Sequence, residues 1–557
     1  MLVRSSVSTG SKILRRDIKQ LKSGPFDVLV IGGGIYGSWI SYQASVAGLK
    51  VAQVEKSDWG SATSSASSKL LHGGLRYLER FEFGLVRKSL HERRELNRIL
   101  PHHVRPLRFL LPVYRHSRVG RIRLKLGLWL YDRLAGRNQP VDSHQQFSAS
   151  AMRELEPALK ENELLGGFSY GDCATDDARM ILEIVDSAIS MGATACPYVK
   201  AEELLTTNGR VTGARLFDCE QGSVFDVHAS VVVNAAGPWI TRKFGAEPGF
   251  GATNEGDARA GHEGIRLTKG VHVVMPALHS DQALLLTARS DGRVFFLVPW
   301  YGRTLLGTTD TDFYDDPASV RVEREDVDYL LSAANSCLRT LWTTDDIHGA
   351  FAGLRTLQNE AGKSASGVSR EWCFVESPSG LMTSIGGKYT SARVDAIEAV
   401  NKILKTLHRP PQKPSSPIKM AWCPETPFPD WLDQTCNEAA SVGIDRETAT
   451  TCARRHGTNM ADIIALVSAS PELAHRIVAD LPFCRAEVVH AASYEMARTL
   501  LDILRRRIPL LVLTRLRRET VTDVCDLAAH VLKWDADRQE QEIAGVLAAG
   551  CLDHVTD

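Results

Sequence analysis

The sequence lacks the features that mark several broad classes of protein. Its 11 cysteines form no C-x-x-C pair, which argues against a disulfide framework or a zinc ribbon and suits a reducing compartment. No apolar run reaches about 18 residues, so no membrane-spanning helix is predicted. Lys plus Arg total 66 and Asp plus Glu total 66, which gives a net charge of zero. This balance argues against a dedicated nucleic-acid-binding protein.

The chain of 557 residues is too long for one hydrophobic core, so two or three domains are expected. Its first segment, residues 1–24, is basic and precedes the first predicted strand. Because this segment has no apolar central region, it does not resemble a secretory signal. Its serine and arginine content loosely fits a mitochondrial presequence. The simpler interpretation is a solvated extension with a short helix from Lys12 onward.

A glycine-rich motif lies between two predicted buried strands, residues 28–31 and Val51–Val54. Its glycines fit the pattern G-x-G-x-x-G at Gly32, Gly34 and Gly37. In this pattern the first glycine allows a tight turn, the second lets the backbone approach a pyrophosphate, and the third lets the next helix pack closely. Glu55, at the tip of the second strand, is placed to accept hydrogen bonds from a ribose diol. Together these parts predict a dinucleotide-binding site.

A second informative stretch, residues 61–79, concentrates small hydroxyl side chains and polar or charged ones. These residues are Ser64, Ser65, Ser67, Ser68, Lys69, His72, Arg76 and Tyr77. Such a segment can pack its backbone against a flat ring or a pyrophosphate. On composition alone, a polar loop that caps a helix over residues 78–100 explains the stretch better.

The string SSASSKLLHGGLRYLERFEFGLV resembles the FAD-dependent sn-glycerol-3-phosphate dehydrogenases, respiratory enzymes that oxidise glycerol 3-phosphate to dihydroxyacetone phosphate. Further matches to that family follow in order at residues 108–112, 170–178, 234–239, 265–272, 307–311, 353–355, 386–388 and 487–504. The resemblance therefore covers nearly the whole chain beyond residue 24. It implies FAD as the cofactor, hydride transfer from C2 of the substrate to flavin N5, and delivery of the electrons to a membrane quinone.

The resemblance also implies roles for individual residues. Those implied to bind the cofactor are Gly32, Gly34, Gly37, Glu55, Ser64, Ser65, Ser67, Ser68, Lys69, His72, Ala236, Gly237, Gly387 and Lys388. Those implied to bind the substrate are Arg76, Tyr77, Arg355, Arg370 and Lys388. Planar guanidinium groups suit the phosphate dianion that this substrate carries. The implied catalytic residues are His272, His72 and Arg355.

One of the two histidines is expected to remove the proton of the C2 hydroxyl. His272 is favoured over His72, because it follows Lys269 and Gly270 on a strand expected to lie over the flavin. A buried structural histidine is the alternative interpretation of either residue. The chain departs from the family at Thr356, where relatives usually have proline after the arginine. It departs again in GGKYTSAR, where relatives more often have GGKLTTYR.

The predicted fold class is α/β, with a Rossmann-like FAD-binding domain interleaved with an antiparallel-sheet substrate domain and followed by an all-α C-terminal domain. The FAD-binding part is expected to be discontinuous. It would use residues 25–100, 178–245 and 345–405, and residues 101–177 and 246–344 would form the substrate domain.

Local patterns place several elements in the later part of the chain. Strands are predicted at residues 271–275, 294–298 and 304–306. A proline-rich linker is predicted over residues 406–426, and its stiffest part is 409–417. The C-terminal domain, residues 427–557, is predicted to contain helices that include 462–467, 486–504 and 520–532.

Two basic and apolar stretches, residues 118–137 and 505–518, have the composition of helices that lie on an anionic bilayer. A helix with a buried apolar face and solvated charges explains each of them equally well. The need for membrane contact comes from the resemblance, since a quinone acceptor resides in a membrane.

The expected partners are glycerol 3-phosphate, a quinone, a membrane surface contacted peripherally, and a second copy of the chain in a homodimer. No nucleic acid and no metal are expected. The expected location is cytoplasmic, on the inner face of a bacterial plasma membrane, with a mitochondrial location as the alternative. The sequence has no EF-hand loop, which weighs against the calcium-regulated mitochondrial form.

Two other functions are compatible with a dinucleotide-binding fold. The first is an oxygen-using flavin oxidase that acts on glycerol 3-phosphate or on an amine of the glycine or sarcosine type. The second is a flavoprotein that acts on RNA. The neutral charge and the lack of an aromatic and basic RNA-binding platform argue against the second.

Overall fold

The computed structural model describes residues 14–240, 265–359, 368, 370–412, 418–552 and 555. Part of the basic segment 1–24 and part of the linker stretch 409–417 therefore lie outside the described residues. The short helix expected from Lys12 is seen at Ile18–Lys22, where the Asp17 side chain accepts a hydrogen bond from the backbone N–H of Gln20. That bond satisfies one of the free donors of the first helical turn.

The first sheet has a parallel centre made of apolar, β-branched segments. Phe26–Ile31 lies between Val51–Val54 and Ser223–Asn234, so that Val28 pairs with Val51 on one side and with Val231 on the other. Further strands extend the sheet at Thr194–Cys196, Met382–Gly386 and Trp372–Glu376, and an antiparallel ribbon is formed by Val199–Thr207 and Arg210–Asp218. Residues 28–31 of the central strand are apolar and buried, as expected where both faces of the sheet are covered.

Helices cover one face of this first sheet and share a hydrophobic core with it. They are Ile35–Val46, Asp177–Ser190 and Ala392–Thr406, with Phe83–Ile99 beside them. The expected helix over residues 78–100 is shorter than predicted. A 3₁₀ helix at Leu75–Arg80 comes first, and Phe81, with a φ of 60°, separates it from the α-helix.

The second sheet is formed by segments that alternate in the chain with those of the first. Its strands are Leu70–Leu71, Arg105–Tyr114, Gln145–Phe147, Leu164–Ala174, Ile265–Pro276, Ala283–Thr287, Val294–Trp300, Arg303–Gly307, Thr311–Asp312 and Gly349–Gln358. The three strands predicted at 271–275, 294–298 and 304–306 are present within longer ones. The pairing is antiparallel except between Ala283–Thr287 and Arg105–Tyr114. Helices Arg121–Ala135, Ala149–Leu155 and Arg324–Cys337 accompany this sheet.

One predicted domain boundary is wrong. Residues from 345 onward were expected in the FAD-binding part, but Gly349–Gln358 pairs along its whole length with Ile265–Pro276 of the second sheet. The chain returns to the first sheet only at Trp372–Glu376. An isolated apolar strand does not specify which of two sheets it joins, because both offer buried positions.

The C-terminal domain is helical, as predicted. Its helices are Phe428–Ser441, Arg446–His456, Met460–Ala469, Arg485–Tyr494, Leu500–Asp502, Leu510–Leu513, Arg518–Leu532 and Ala536–Gly550. The single helix predicted over 486–504 is wrong, because the helix ends at Tyr494 and a π-helix follows at Ile503–Arg507. The domain packs on the second sheet so closely that a Cβ on Gly349 would lie 1.8 Å from the carbonyl oxygen of Val512.

Of the two interpretations of residues 505–518, the structure contradicts contact with a membrane and favours a buried apolar face. Ile508, Leu510 and Leu513 are fully buried in the core that joins this domain to the second sheet. Arg506 and Arg507 are buried too, and both form ion pairs with Asp58. Within the part of the chain that the structure describes, no helix has the length and apolar character needed to cross a bilayer.

Candidate active site

A cavity of about 1200 Å³ lies between the two sheets. At one end its wall is formed by the glycine-rich turn and by Glu55. At the other end it is lined by histidine, arginine and lysine side chains carried by the second sheet and by the loops beside it. The cavity therefore joins the predicted dinucleotide site to the predicted substrate site.

Each of the three glycines of the motif serves a different structural purpose. Gly32 has a φ of 121°, and a Cβ there would lie 2.4 Å from the carbonyl oxygen of Ala235. A Cβ on Gly37 would lie 2.1 Å from the carbonyl oxygen of Gly32. Gly34 has an ordinary φ of −81°, and its Cβ would meet only the Ser64 hydroxyl, at 3.1 Å. Gly32 and Gly37 thus shape the turn, whereas Gly34 leaves bare backbone on the cavity wall.

Glu55 lies against the turn rather than apart from it. Its carboxylate accepts hydrogen bonds from the backbone N–H of Gly33 at 2.7 Å and of Ser57 at 3.0 Å. Burial raises the pKa of this carboxyl, and the two backbone donors oppose that rise. Glu55 also lines the cavity, so its predicted place beside a bound nucleotide agrees with the geometry.

The serine-rich segment divides between the cavity and the protein interior. Ser64, Ser67 and Ser68 line the cavity, and the Ser64 hydroxyl accepts a hydrogen bond from the backbone N–H of Ile35 at the start of the helix. Ser67 donates to Asp177 at 2.7 Å. These serines hold the segment against the helices of the first sheet.

Ser65 and Lys69 lie behind the cavity wall and do not line it. Lys69 is only 3% exposed, and its ammonium group donates to Asp177 at 2.6 Å and to the carbonyl oxygen of Ser65 at 2.7 Å. Burial lowers the pKa of Lys69, and Asp177 opposes this change. The expectation that Ser65 and Lys69 contact the cofactor directly does not fit these positions; they support the wall instead.

The two candidate histidines both line the cavity. His272 is held by the Ser68 hydroxyl, 2.9 Å from Nε2, and by the Phe351 ring stacked on its own at a centroid distance of 5.0 Å. Burial, Arg355 and Lys69 lower the pKa of His272 to about 3. Burial, Lys388 and Arg76 lower the pKa of His72 to about 3 as well. Both imidazoles are therefore neutral near pH 7.

Four cationic side chains meet at this end of the cavity and are called here the cation cluster: Arg76, Arg355, Arg370 and Lys388. Arg355 and Arg370 share the carboxylate of Asp310, at 3.1 and 3.3 Å. Arg355 also donates to the Thr308 hydroxyl at 2.9 Å. Burial and the neighbouring Arg370 lower the pKa of Arg355 to about 10, so the guanidinium group remains charged at neutral pH.

Lys388 is the most exceptional member of the cluster. Its Nζ atom is buried and has no hydrogen-bond partner among the described residues. The ammonium group lies 3.7 Å from the centroid of the Tyr77 ring. Burial lowers the pKa of Lys388 to about 8, and Arg370 adds to this effect. An unsatisfied buried ammonium group is costly, and an anion in the cavity would supply its missing acceptor.

The pKa of Tyr77 reflects the same excess of positive charge. Burial opposes ionisation of its phenol, yet Arg370, Lys388 and Arg76 outweigh burial and lower its pKa to about 8. The cluster is therefore suited to a ligand that carries more than one negative charge.

Comparisons with known proteins agree with this geometry. Residues 27–393 match the family model of the FAD dependent oxidoreductases, and residues 430–539 match the C-terminal domain of alpha-glycerophosphate oxidase. Glycerol-3-phosphate dehydrogenase 2 of Mycobacterium tuberculosis H37Rv is 36% identical, over 95% of this chain and 89% of its own length. The aerobic glycerol-3-phosphate dehydrogenase of Staphylococcus epidermidis RP62A is 33% identical, over 89% of each chain.

The chain belongs to the FAD-dependent glycerol-3-phosphate dehydrogenase family. Among solved structures, the glycerol-3-phosphate dehydrogenase from Bacillus halodurans, complexed with FAD, is similar with a TM-score of 0.77 and 28% identity, and the match covers 97% of this chain and 98% of that one. A reduced L-alpha-glycerophosphate oxidase from Mycoplasma pneumoniae, at 17% identity and a TM-score of 0.52, shares the fold. The resemblance and the fold class expected from the sequence are thus confirmed.

The cavity of this glycerol-3-phosphate dehydrogenase fits FAD at its glycine-rich end. A Cβ on Gly237 would meet no atom of the described residues within 4 Å, and Gly237 and Ala236 both line the cavity. The start of the helix Ile35–Val46 faces the same space with the positive end of its dipole. Gly387 lines the cavity as well, and its φ of 93° keeps bare backbone there.

Sequence reasoning missed several residues of this site. Asp310, which joins two arginines of the cation cluster, lies within the family-like motif GTTDT but was not singled out. Gly270 is needed because a Cβ there would lie 2.3 Å from Nη2 of Arg355, so the arginine crosses the strand at this glycine. The motif IRLTKGVH contains the signal for Gly270, since a glycine inside a strand often marks a close approach.

Proposed function

We propose that this enzyme oxidises sn-glycerol 3-phosphate to dihydroxyacetone phosphate with bound FAD and passes the electrons to a quinone at a membrane surface. The observation that carries the substrate assignment is the buried Lys388 ammonium group near Arg355 and Arg370, for which the described part of the chain provides no acceptor. A phosphate dianion provides the several acceptor oxygens that such donors require. The names of the relatives support the same substrate.

The cation cluster would hold the phosphate, and Tyr77 would lie beside it. Arg355 and Arg370 are held by Asp310, so their remaining N–H groups are oriented before the substrate arrives. When bound, FAD supplies the acceptor for the C2 hydrogen, which leaves as hydride to flavin N5 while C2 becomes the carbonyl carbon. The protein orients C2, excludes water and takes up the hydroxyl proton.

We assign the uptake of that proton to His72. Besides burial, which is the largest cause, Lys388, Arg76, Arg370 and Arg93 lower its pKa, and the first three of these cations belong to the cation cluster that would bind the phosphate. A bound dianion offsets their charge and so raises the proton affinity of the imidazole when the substrate is present. His272 is already engaged by Ser68 and packed on Phe351, which suits a residue that shapes the site.

The proposed reaction can be tested directly by measuring the flavin absorbance of the FAD-bound protein. Anaerobic mixing with glycerol 3-phosphate is expected to bleach the flavin band near about 450 nm, because the substrate delivers two electrons. An equal concentration of glycerol is expected to leave the band unchanged, since it offers no charge to the cation cluster. Bleaching by both compounds, or by neither, would contradict the assignment of the substrate.

The proposal that the electron acceptor is a membrane quinone rests on an exposed apolar face at the mouth of the cavity. Ile122, Leu126 and Trp129 of the helix Arg121–Ala135 are 88%, 63% and 48% exposed. Phe81, on the adjoining turn, is 77% exposed, and both Phe81 and Leu126 line the cavity mouth. The basic side chains of the stretch 118–137 lie among them, as expected for a helix on an anionic bilayer. In bacteria this would be the inner face of the plasma membrane.

Replacing Ile122 and Leu126 together with glutamate is expected to weaken binding to anionic vesicles about tenfold or more, because it removes apolar area and adds repulsion. Quinone reduction on those vesicles should fall in parallel, while reduction of a water-soluble dye stays near the wild-type rate. Leu341, which is 68% exposed, provides the control substitution Leu341→Glu. Equal losses with dye and quinone would contradict the membrane role, and peroxide formation in air without a dye would favour an oxidase.

A further inference from the structure

The π-helix Ile503–Arg507 carries consecutive arginines from the C-terminal domain into the FAD-binding part. Arg506 Nε donates to Asp58 Oδ2 at 2.5 Å, and Arg507 binds both oxygens of the same carboxylate, at 2.6 and 2.8 Å. The Asp58 side chain is fully buried. Burial opposes ionisation of Asp58, but Arg507 and Arg506 outweigh it and lower the pKa of the carboxyl, so the group is charged.

Asp58 belongs to a short segment that supports the glycine-rich turn from behind. Two residues further along, the Gly60 N–H donates to the carbonyl oxygen of Gly33 at 2.9 Å. The Trp59 ring packs on Gly33 so closely that a Cβ there would lie 2.5 Å from Cε3 of the ring. Since Glu55 binds the N–H of Gly33, the turn is held from two sides.

Arg505, the preceding residue of the π-helix, lies near the residues that support the substrate end of the cavity. The Arg505 guanidinium carbon lies 5.1 Å from the centroid of the Phe351 ring, and that ring stacks on His272. The π-helix Ile503–Arg507 therefore contacts residues that support both ends of the cavity.

We propose that Arg506 and Arg507 are positioning residues of the FAD site, which act through Asp58 to hold the segment Asp58-Trp59-Gly60 against the glycine-rich turn. The C-terminal domain then contributes to FAD retention without contacting the cofactor. If Asp58 loses its charge, Arg507 loses the partner that it binds at two points, whereas Arg506 still pairs with Asp502. If the two arginines lose their charges, the buried Asp58 carboxylate loses its counter-charges, and the segment must move to let water in. The turn loses its support as a result. This inference does not depend on which substrate the enzyme oxidises.

The test uses the full-length holoenzyme and measures how fast FAD fluorescence rises when the protein is diluted into buffer. Asp58→Asn is expected to release FAD at least about tenfold faster than the wild type, because Arg507 loses the carboxylate that it binds at two points and Arg506 is left with Asp502. The control is Arg303→Met. Arg303 lies on the second sheet and also joins the catalytic part to the C-terminal domain, through an ion pair of 2.5 Å with Asp480.

Both variants are expected to lower the melting temperature, but only Asp58→Asn should accelerate FAD release. A wild-type release rate in Asp58→Asn would overturn the proposal, and so would equal acceleration in Arg303→Met, which would mean general loosening between domains. Arg507→Lys keeps the charge and loses the two-point contact, so an intermediate release rate is expected. If Asp58→Asn does not fold, Arg507→Lys tests the proposal instead: FAD release faster than that of the wild type would support it, and a wild-type rate would overturn it.

Discussion

Replacing Gly34 with valine is expected to give a folded protein that holds less than about a tenth of the wild-type FAD, since a side chain there occupies the place of the pyrophosphate. The reason lies in the contrast among the three glycines of the motif. Only at Gly34 would a Cβ fit the protein itself, with a φ of −81° and its nearest contact the flexible Ser64 hydroxyl at 3.1 Å. The substitution therefore tests the cofactor site rather than the turn.

The measurement is the ratio of flavin to protein absorbance after purification, together with the circular dichroism spectrum. Gly84→Ala is a suitable control, because Gly84 lies in the helix Phe83–Ile99 with no atom near its Cβ. That variant should remain yellow. Full flavin occupancy in Gly34→Val would show that the pyrophosphate does not approach this turn.

Replacing Arg355 with alanine is expected to raise the KM for glycerol 3-phosphate about 10- to 100-fold, because hydrogen bonds to charged groups contribute about 1.5–3 kcal/mol. FAD content should change little, since the Arg355 side chain is held by Asp310 and Thr308 rather than by residues of the glycine-rich turn. Steady-state kinetics with a soluble dye acceptor, alongside the flavin absorbance ratio, separate the two effects.

Arg266→Ala is the matched control for Arg355. Arg266 lies on the strand that pairs with the strand of Arg355, and it forms a two-point ion pair with Asp312 outside the cavity. It should leave the KM within about twofold of the wild type. An unchanged KM in Arg355→Ala would remove this arginine from the phosphate site, and flavin loss in that variant would point to a structural role.

Local signals explain why the nucleotide-binding half of the site could be predicted from the sequence. The buried strand, the glycines and the acid at Glu55 fall within 30 consecutive residues, and each has a short-range physical reason. The substrate side chains came from a resemblance, because an arginine on a strand carries no local mark of what it binds. The structure places Arg76, Arg355, Arg370 and Lys388 together, which no periodicity in the sequence indicates.

Two of the three failed expectations have the same cause, which is that a segment's partners lie far away in the sequence. The stretch 505–518 reads as a surface helix because its charges look solvated, yet Arg507 pairs with a carboxylate 449 residues away. The helix over 78–100 was overextended because Phe81 adopts a left-handed conformation that its sequence does not announce. The strand Gly349–Gln358 was assigned to the wrong sheet, since its apolar pattern fits either.

The interleaving of the two sheets has a consequence for how the enzyme matures in the cell. The strand that carries the glycine-rich turn is among the first segments to leave the ribosome, but its sheet needs Met382–Gly386, and its support needs Arg507. At about 5–20 residues per second, synthesis of the chain takes on the order of half a minute to two minutes. During this time the nascent N-terminal region has no completed cradle. We therefore expect coenzyme capture to be a late event, and a chain that ends before residue 507 should retain flavin less well than the full-length protein.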